Sequence, residues 1–177
     1  MATTAATTTW TADTVHSTAN FAVRHMVVAT FRGAFTDVTG SLDLAEQPRL
    51  VGEVDVASVQ VKDENLYGHL QSAEFFDAAT TPKITFVSDS VVRDGDDVTI
   101  EGDLTIKGTT KRVTATGTWL EIEADVTGNP RIGIDVETTV DRTAFGLDWN
   151  APLPKGGVAL ENDVTLSVHL ELVPSQG

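Results

Sequence analysis

Cysteine is absent from the 177 residues, which removes disulfides, thiol nucleophiles and cysteine-ligated zinc while leaving the redox compartment open. Positive charge is scarce. Only 12 Lys and Arg stand against 26 Asp and Glu, a formal net charge of −14 that repels phosphate backbones and anionic lipid surfaces, so nucleic acid is excluded as an expected partner. No stretch approaches the roughly 20 apolar residues of a membrane helix, so no membrane insertion is expected. Catalytic signatures are also missing: there is no Gly-x-Ser-x-Gly elbow, no Gly-Lys-Ser/Thr phosphate loop and no dinucleotide fingerprint, and no cofactor is expected. His16, His25, His69 and His169 show no short paired spacing, which argues against a zinc site.

What the chain has is alternation. Val164, Leu166, Val168, Leu170 and Leu172 share one face of an extended segment, with Thr165, Ser167, His169 and Glu171 on the other. Val98, Ile100, Leu104 and Ile106 repeat the split against Thr99, Glu101, Asp103 and Lys107, and Ile132, Ile134, Val136 and Val140 against Asp135, Glu137, Thr139 and Asp141. The pattern places strands near 10–14, 17–29, 33–45, 49–60, 82–93, 97–107, 111–123, 131–141 and 160–173, each about ten residues long where complete. Turn cues at Gly33, Gly40, Gln47-Pro48, Asp94-Gly95-Asp96-Asp97, Lys107-Gly108-Thr109, Gly128-Asn129-Pro130 and Asn162-Asp163 separate them. With about one helix available, the apolar face must be covered by the sheet itself, as a barrel or a sandwich. The expected fold is therefore all-β, an antiparallel barrel of eight long strands with a short helical insertion, in one domain over residues 10–177.

Residues 1–9 are Ala- and Thr-rich, with neither a basic stretch nor an apolar core, and are expected to form a disordered tail. As written the chain is expected to be cytoplasmic, unless a leader has been removed. The helical segment Lys62 to Ala78 carries Leu66, Leu70 and Ala73 on one face, with Asp63 near its start as a cap, and reads as a lid or plug. Ser72 is expected to cap a second short turn presenting Phe75 and Phe76, with one ring on the sheet and the other in the barrel mouth. The connection from Arg142 to Val158 holds Phe145, Leu147 and Trp149, which is too apolar for a solvated loop. It is expected to fold over the core or border an apolar ligand.

Four blocks carry a resemblance. Asp13-Thr-Val-His16-Ser17-Thr-Ala-Asn20-Phe21-Ala-Val23-Arg-His25 is the first, and His69-Leu70-Gln-Ser72-Ala-Glu-Phe75-Phe76-Asp77 followed by Pro82-Lys-Ile84-Thr-Phe86 is the second. The third is Gly102-Asp103-Leu104-Thr105-Ile106-Lys-Gly108-Thr-Thr-Lys111, and the fourth Arg142-Thr-Ala-Phe145-Gly146-Leu147. In this order and spacing the sequence resembles the YceI-like family of isoprenoid- and lipid-binding proteins, over roughly residues 10–173. The resemblance implies an extended lipocalin-like barrel whose interior takes a polyisoprenoid or other long-chain lipid, often in a homodimer, and it does not imply catalysis. Many relatives carry an Arg-Asp pair just before the His-Leu, where this chain has Leu66-Tyr67-Gly68.

Strand parity puts Arg142 on the inward face, where its guanidinium has two readings: a clamp for an acidic head group, or a structural partner of a nearby Asp or loop carbonyl. His25 shares a face with Phe21 and Val23 and either rims a pocket or is a hydrogen-bonded core histidine. Phe31, Phe35, Phe75, Phe76, Phe86, Phe145, Trp119 and Trp149 are the bulky set; some are ordinary core, and those near the helix and the Arg142 loop are candidates for a pocket wall. Three functions compete. The first is a non-catalytic carrier with a lipid tail inside the barrel, the second a solid-cored, stress-related interaction protein, and the third an enzyme acting on a hydrophobic substrate through His25 or Arg142.

Overall fold

The computed structural model describes residues 8–176. Its strands are β1 Thr9–Ala12, β2 Thr18–His25, β3 Ala29–Phe35, β4 Val38–Asp43, β5 Arg49–Asp55, β6 Val59–Gln60, β7 Lys83–Asp94, β8 Asp97–Ile106, β9 Thr109–Ile122, β10 Arg131–Asp141 and β11 Leu160–Pro174. The first six form three interrupted staves. β1 pairs with β4 while β2 pairs with β3, and β4 pairs with β5 while β3 pairs with β6. Strands β7 to β11 follow as antiparallel neighbours, and β11 returns to both β1 and β2, so the sheet closes into an eight-stranded barrel. Closure removes the exposed edges that a sheet of this length would otherwise present.

The alternation read from the sequence sets the two faces. Along β8, Val98, Ile100, Gly102, Leu104 and Ile106 are buried and the residues between them are not. Outside, charges from β9 and β7 pair across the intervening β8: Arg112 forks onto Asp89 at 2.6 and 2.8 Å, and Arg93 meets Glu121 at 2.8 Å. Arg93 also lies 4.5 Å over the ring of Trp119, shielding the indole from water.

The turns differ from expectation at four places, one of which, Asn162-Asp163, lies within β11 at a β-bulge rather than between strands. Gly33 and Gly40 lie within β3 and β4 rather than between strands. Each is small because something occupies the space its side chain would take: a Cβ on Gly33 would stand 2.3 Å from the Phe21 ring, and one on Gly40 would stand 2.9 Å from the Val51 carbonyl oxygen. The reversal falls instead at Met26 and Val27, whose φ angles of 51° and 66° are left-handed and carry no Gly or Asn signal. The tail expected over residues 1–9 lies mostly outside the described residues, and Thr9 is the first residue of β1.

Helix α1, Glu64–Gln71, begins at Asp63, whose carboxylate accepts from the Leu66 N–H at 2.9 Å. It fills a gap in the wall, since β6 pairs only with β3 and β7 pairs with β5 but not with β6. Gln71 Nε2 donates to the Val56 carbonyl at 2.8 Å and the Tyr67 hydroxyl to the Ala57 carbonyl at 2.8 Å, which fastens α1 to the end of the β5–β6 stave.

The opposite end of the barrel is packed solid by Trp10, Leu42, Val98, Trp119, Ile134 and Leu172. Over it, Arg131 joins Asp125 at 2.6 Å, Glu171 at 2.7 Å and Asp13 at 3.0 Å, and Asp13 also meets His16 Nδ1 at 2.9 Å. The His16 bond, with Arg131 behind it, lowers the Asp13 carboxyl to about 2, and the same bond raises His16. Asp13 thus contributes stability that is present above its unfolded value of about 4 and is lost as pH falls toward 2. His16 contributes below its unfolded value of about 6.5, and its share is lost as pH rises through its raised folded value. Replacing Asp13 with Asn should therefore lower the melting temperature most between pH 4 and 6.5 and least at pH 2, which thermal denaturation across that range will show. A uniform loss at every pH would mean that packing, not charge, holds this turn.

Candidate functional site

A cavity of about 440 Å³ occupies the α1 half of the barrel. Its walls come from inward faces of the strands, from α1 through Leu66, His69 and Leu70, and from the connection after β10 through Phe145, Leu147 and Trp149. The side chains of the packed end do not reach it. The volume falls within the ordinary range for sites that bury a small molecule.

All ten residues singled out from the sequence border this one space: Phe21, His25, Phe31, Phe35, Phe75, Phe76, Phe86, Arg142, Phe145 and Trp149. Their rings form two groups. Phe21 stands 5.9 Å from Phe31 and 5.7 Å from Phe35, and Phe35 meets Phe76 edge-on at 5.6 Å. Under the helix, the His69 ring is edge-on to Phe75 at 4.8 Å and to Trp149 at 4.9 Å. Trp119, named among the bulky residues, belongs to the packed end and is ordinary core.

Phe75 and Phe76 both border the cavity but on different walls: Phe76 packs edge-on against Phe35 of β3, the sheet contact expected of one ring, and Phe75 lies under the helix beside His69 and Trp149. The cause lies at Ser72. Its hydroxyl donates back to the His69 carbonyl at 2.6 Å and ends α1, and the Phe75 and Asp77 N–H groups then both donate to its carbonyl. This tight turn departs from helical spacing, and both rings reach the chamber wall from it.

Arg142 is 6% exposed and opens a 3-10 turn that ends at Gly146, whose φ is 77°. Its Nε donates to the Glu161 carbonyl at 2.9 Å, Nη1 to those of Leu147 at 2.6 Å and Trp149 at 2.8 Å, and Nη2 to that of Leu160 at 3.4 Å. Four of the five guanidinium N–H donors are thereby spent on main-chain oxygens. Burial lowers its pKa from the ordinary value, yet an arginine remains charged. Of the two sequence readings, the contacts are those of the loop-carbonyl partner: the guanidinium holds the apolar connection across the barrel end, and no free fork remains to grip a carboxylate.

His25 stands exposed at the rim, where β2 ends. His69 was not among the candidates, yet it lies on the cavity wall with Nε2 bonded to Glu74 at 2.7 Å. Its signal was available, because it sits three residues after Leu66 and one before Leu70, on the flank of the same helical face.

Gly33 governs the shape of the chamber, since the Phe21 ring lies across it. Gly33→Ala should push that ring into the cavity at a cost of about 1–3 kcal/mol in stability. The longest ligand retained should shorten, as read by competition with a fluorescent fatty acid. Unchanged capacity would place the ring's freedom elsewhere.

An eight-stranded antiparallel barrel, solid at one end and hollow at the other, with a single helix over the gap in its wall, defines the class of single-chamber β-barrels. A model of the YceI-like domain matches residues 10–172, and the chain belongs to that family. A UPF0312 protein of Staphylococcus aureus is 30% identical over 174 residues, covering 96% of this chain and 99% of the relative. Protein YceI of Escherichia coli is 32% identical over 158 residues, covering 87% of this chain and 81% of its own length. Among solved structures, Burkholderia cenocepacia BcnA superposes with a TM-score of 0.77 at 24% identity, over 90% of this chain and 98% of the other. A polyisoprenoid binding domain from Saccharophagus degradans superposes with a TM-score of 0.65 at 15% identity, over 94% and 98%.

Proposed function

We propose that the protein is a non-catalytic carrier that holds or sequesters a long-chain amphiphile, of polyisoprenoid or fatty-acyl type, in the barrel chamber. The observation that carries this reading is the chamber itself: about 440 Å³ enclosed by hydrocarbon and aromatic side chains. A void of that size lined by such groups forfeits dispersion contacts when empty and regains them when an apolar chain enters. The solid-cored alternative needs an interior with no such void. The Saccharophagus degradans domain of the same fold is described as polyisoprenoid binding, which supports the same class of ligand.

Two of the polar groups around the chamber, Arg142 and His69, are engaged in bonds within the protein. Arg142 bonds main-chain carbonyls and His69 bonds Glu74, an arrangement suited to enclosing a ligand rather than to transferring protons. The same proposal takes the working form to be a homodimer in a cytoplasmic setting, to be checked by sedimentation and cell fractionation.

Native mass spectrometry of freshly purified protein tests the function directly. A retained lipid is expected as added mass, lost on delipidation and restored by geranylgeraniol. Protein that carries no lipid and takes none up would overturn the proposal.

A further inference from the structure

Beside the chamber, the hairpin between β2 and β3 turns through Met26, Val27 and Val28, which are 40%, 53% and 82% exposed. Tight hairpin turns with left-handed residues are usually built from Asn and Gly, which enter that region without a steric cost. Here the left-handed positions hold Met26 and Val27, and a branched residue adopts such an angle only against strain. The turn thus keeps apolar side chains outward where a merely soluble loop would carry polar ones.

The connection before β11 continues the same surface. The Met26 N–H donates to the Ala159 carbonyl at 2.8 Å, and a Cβ on Gly157 would stand 3.5 Å from a Val27 methyl and 3.7 Å from Leu153. Val158, 43% exposed, lies alongside.

Charge identifies what this rim fits. Although the chain has 26 acidic residues, none occurs from Thr14 to Thr36 or from Trp149 to Leu160. These two stretches instead supply Arg24, Arg32 and Lys155, all exposed. Among the described residues none of the three has a carboxylate within salt-bridge distance, in contrast to Lys83, Arg93, Arg112 and Arg131. Arg24 donates to the Val27 carbonyl at 2.6 Å, which steadies the tip and leaves its charge uncompensated.

We infer that this apolar-tipped rim, whose two stretches carry no acidic residue, docks on a bilayer surface bearing anionic head groups, with Met26, Val27 and Val28 in the interfacial layer and Arg24, Arg32 and Lys155 at head-group level and with Glu161 and Asp163 behind them on β11. Short apolar tips flanked by cations bind such surfaces by burial and attraction together. The net charge of −14 is no obstacle in this one orientation, because charges farther than about 8 Å from the head groups are screened at physiological ionic strength. A second copy of the chain fits the rim poorly, since a two-fold contact would set these cations against themselves. The inference rests on the proposed lipid-carrying function, for which docking would bring the chamber to the membrane that supplies or receives the chain.

Flotation of the full chain tests it, with phosphatidylcholine vesicles compared with vesicles containing about 30% phosphatidylglycerol. Binding is expected only to the anionic vesicles, and is expected to weaken with salt. Val28→Asp, and separately the double variant Arg32→Glu with Lys155→Glu, should each reduce flotation about tenfold or more. Both should still take up geranylgeraniol by native mass spectrometry, which shows that they are folded. Wild-type protein that takes up geranylgeraniol but never floats would overturn the docking and leave the carrier function standing. Flotation without uptake would support the docking and remove the carrier function. Flotation unchanged in Val28→Asp, or a Val28→Asp chain that dissociates from a dimer while floating as before, would overturn the docking, the latter by making the hairpin a contact between copies.

Discussion

Lengthening a prenyl ligand by one isoprene unit should strengthen binding by as much as about 3 kcal/mol, a factor of roughly 150, until the chamber is full. The steepness follows from what lines the space. Phe21, Phe31, Phe35 and Phe76 form one continuous wall at ring separations of 5.6 to 5.9 Å, and the carbon chain that lies along it leaves water at about 0.8 kcal/mol per methylene. Ordering of a flexible tail takes back part of that gain, so the figure is a ceiling for each step. Flat aromatic walls suit branched, unsaturated chains because they offer contact area with few torsions to freeze.

The barrel's other half decides where the series must stop. Trp10, Trp119, Ile134 and Leu172 fill that end, so a chain that has reached them has no further apolar volume to enter. Its next unit stays in water and adds nothing. Titration of alcohols of increasing prenyl length should give a steep rise and then a plateau. A flat series from the shortest member onward would mean that the chamber does not hold the tail.

Much of this was legible in the chain because a barrel strand repeats every two residues, and one face of it must be apolar. That parity alone carries β8, β10 and β11, and it also carries Arg142 inward. It fails where the backbone departs from the period. Met26 and Val27 look like strand residues, so the reversal between β2 and β3 is invisible until their left-handed angles are seen. Gly33 and Gly40 look like turns, yet each is small for the sake of a neighbour on the next strand, the Phe21 ring for one and the Val51 carbonyl for the other. Spacing along a single strand holds no information about what lies opposite. The placing of Phe75 and Phe76 on the chamber wall depends in the same way on a turn closed by Ser72, and the partners of Arg142 depend on the path of a loop that has no period at all.

Replacing Arg142 with Ala should cost about 3–5 kcal/mol of stability, and it should weaken acidic and neutral ligands by the same factor. The carbonyls of Leu147, Trp149, Leu160 and Glu161 all turn toward the guanidinium, and its removal takes the side-chain donor from Leu147 and Trp149, while the Leu160 carbonyl keeps Asn150 Nδ2 at 2.7 Å. Hydrogen bonds to a charged group contribute about 1.5–3 kcal/mol each, though losses at one side chain do not add. Lysine is no substitute, because one ammonium on a flexible stem cannot reach four oxygens from two sides, so Arg142→Lys should recover only part of the loss. The segment released carries Phe145, Leu147 and Trp149, which form the chamber's cover, so ligand escapes faster whatever its head group. Urea denaturation gives the first quantity, and the affinity ratio of a fatty acid to the matching alcohol gives the second. A ratio that stays within about twofold of the wild type marks a positioning role. A loss at least about tenfold greater for the acid would show that the remaining Nη2 hydrogen reaches the head group after all, because a charge-assisted bond of that kind is worth about 1.5 kcal/mol or more.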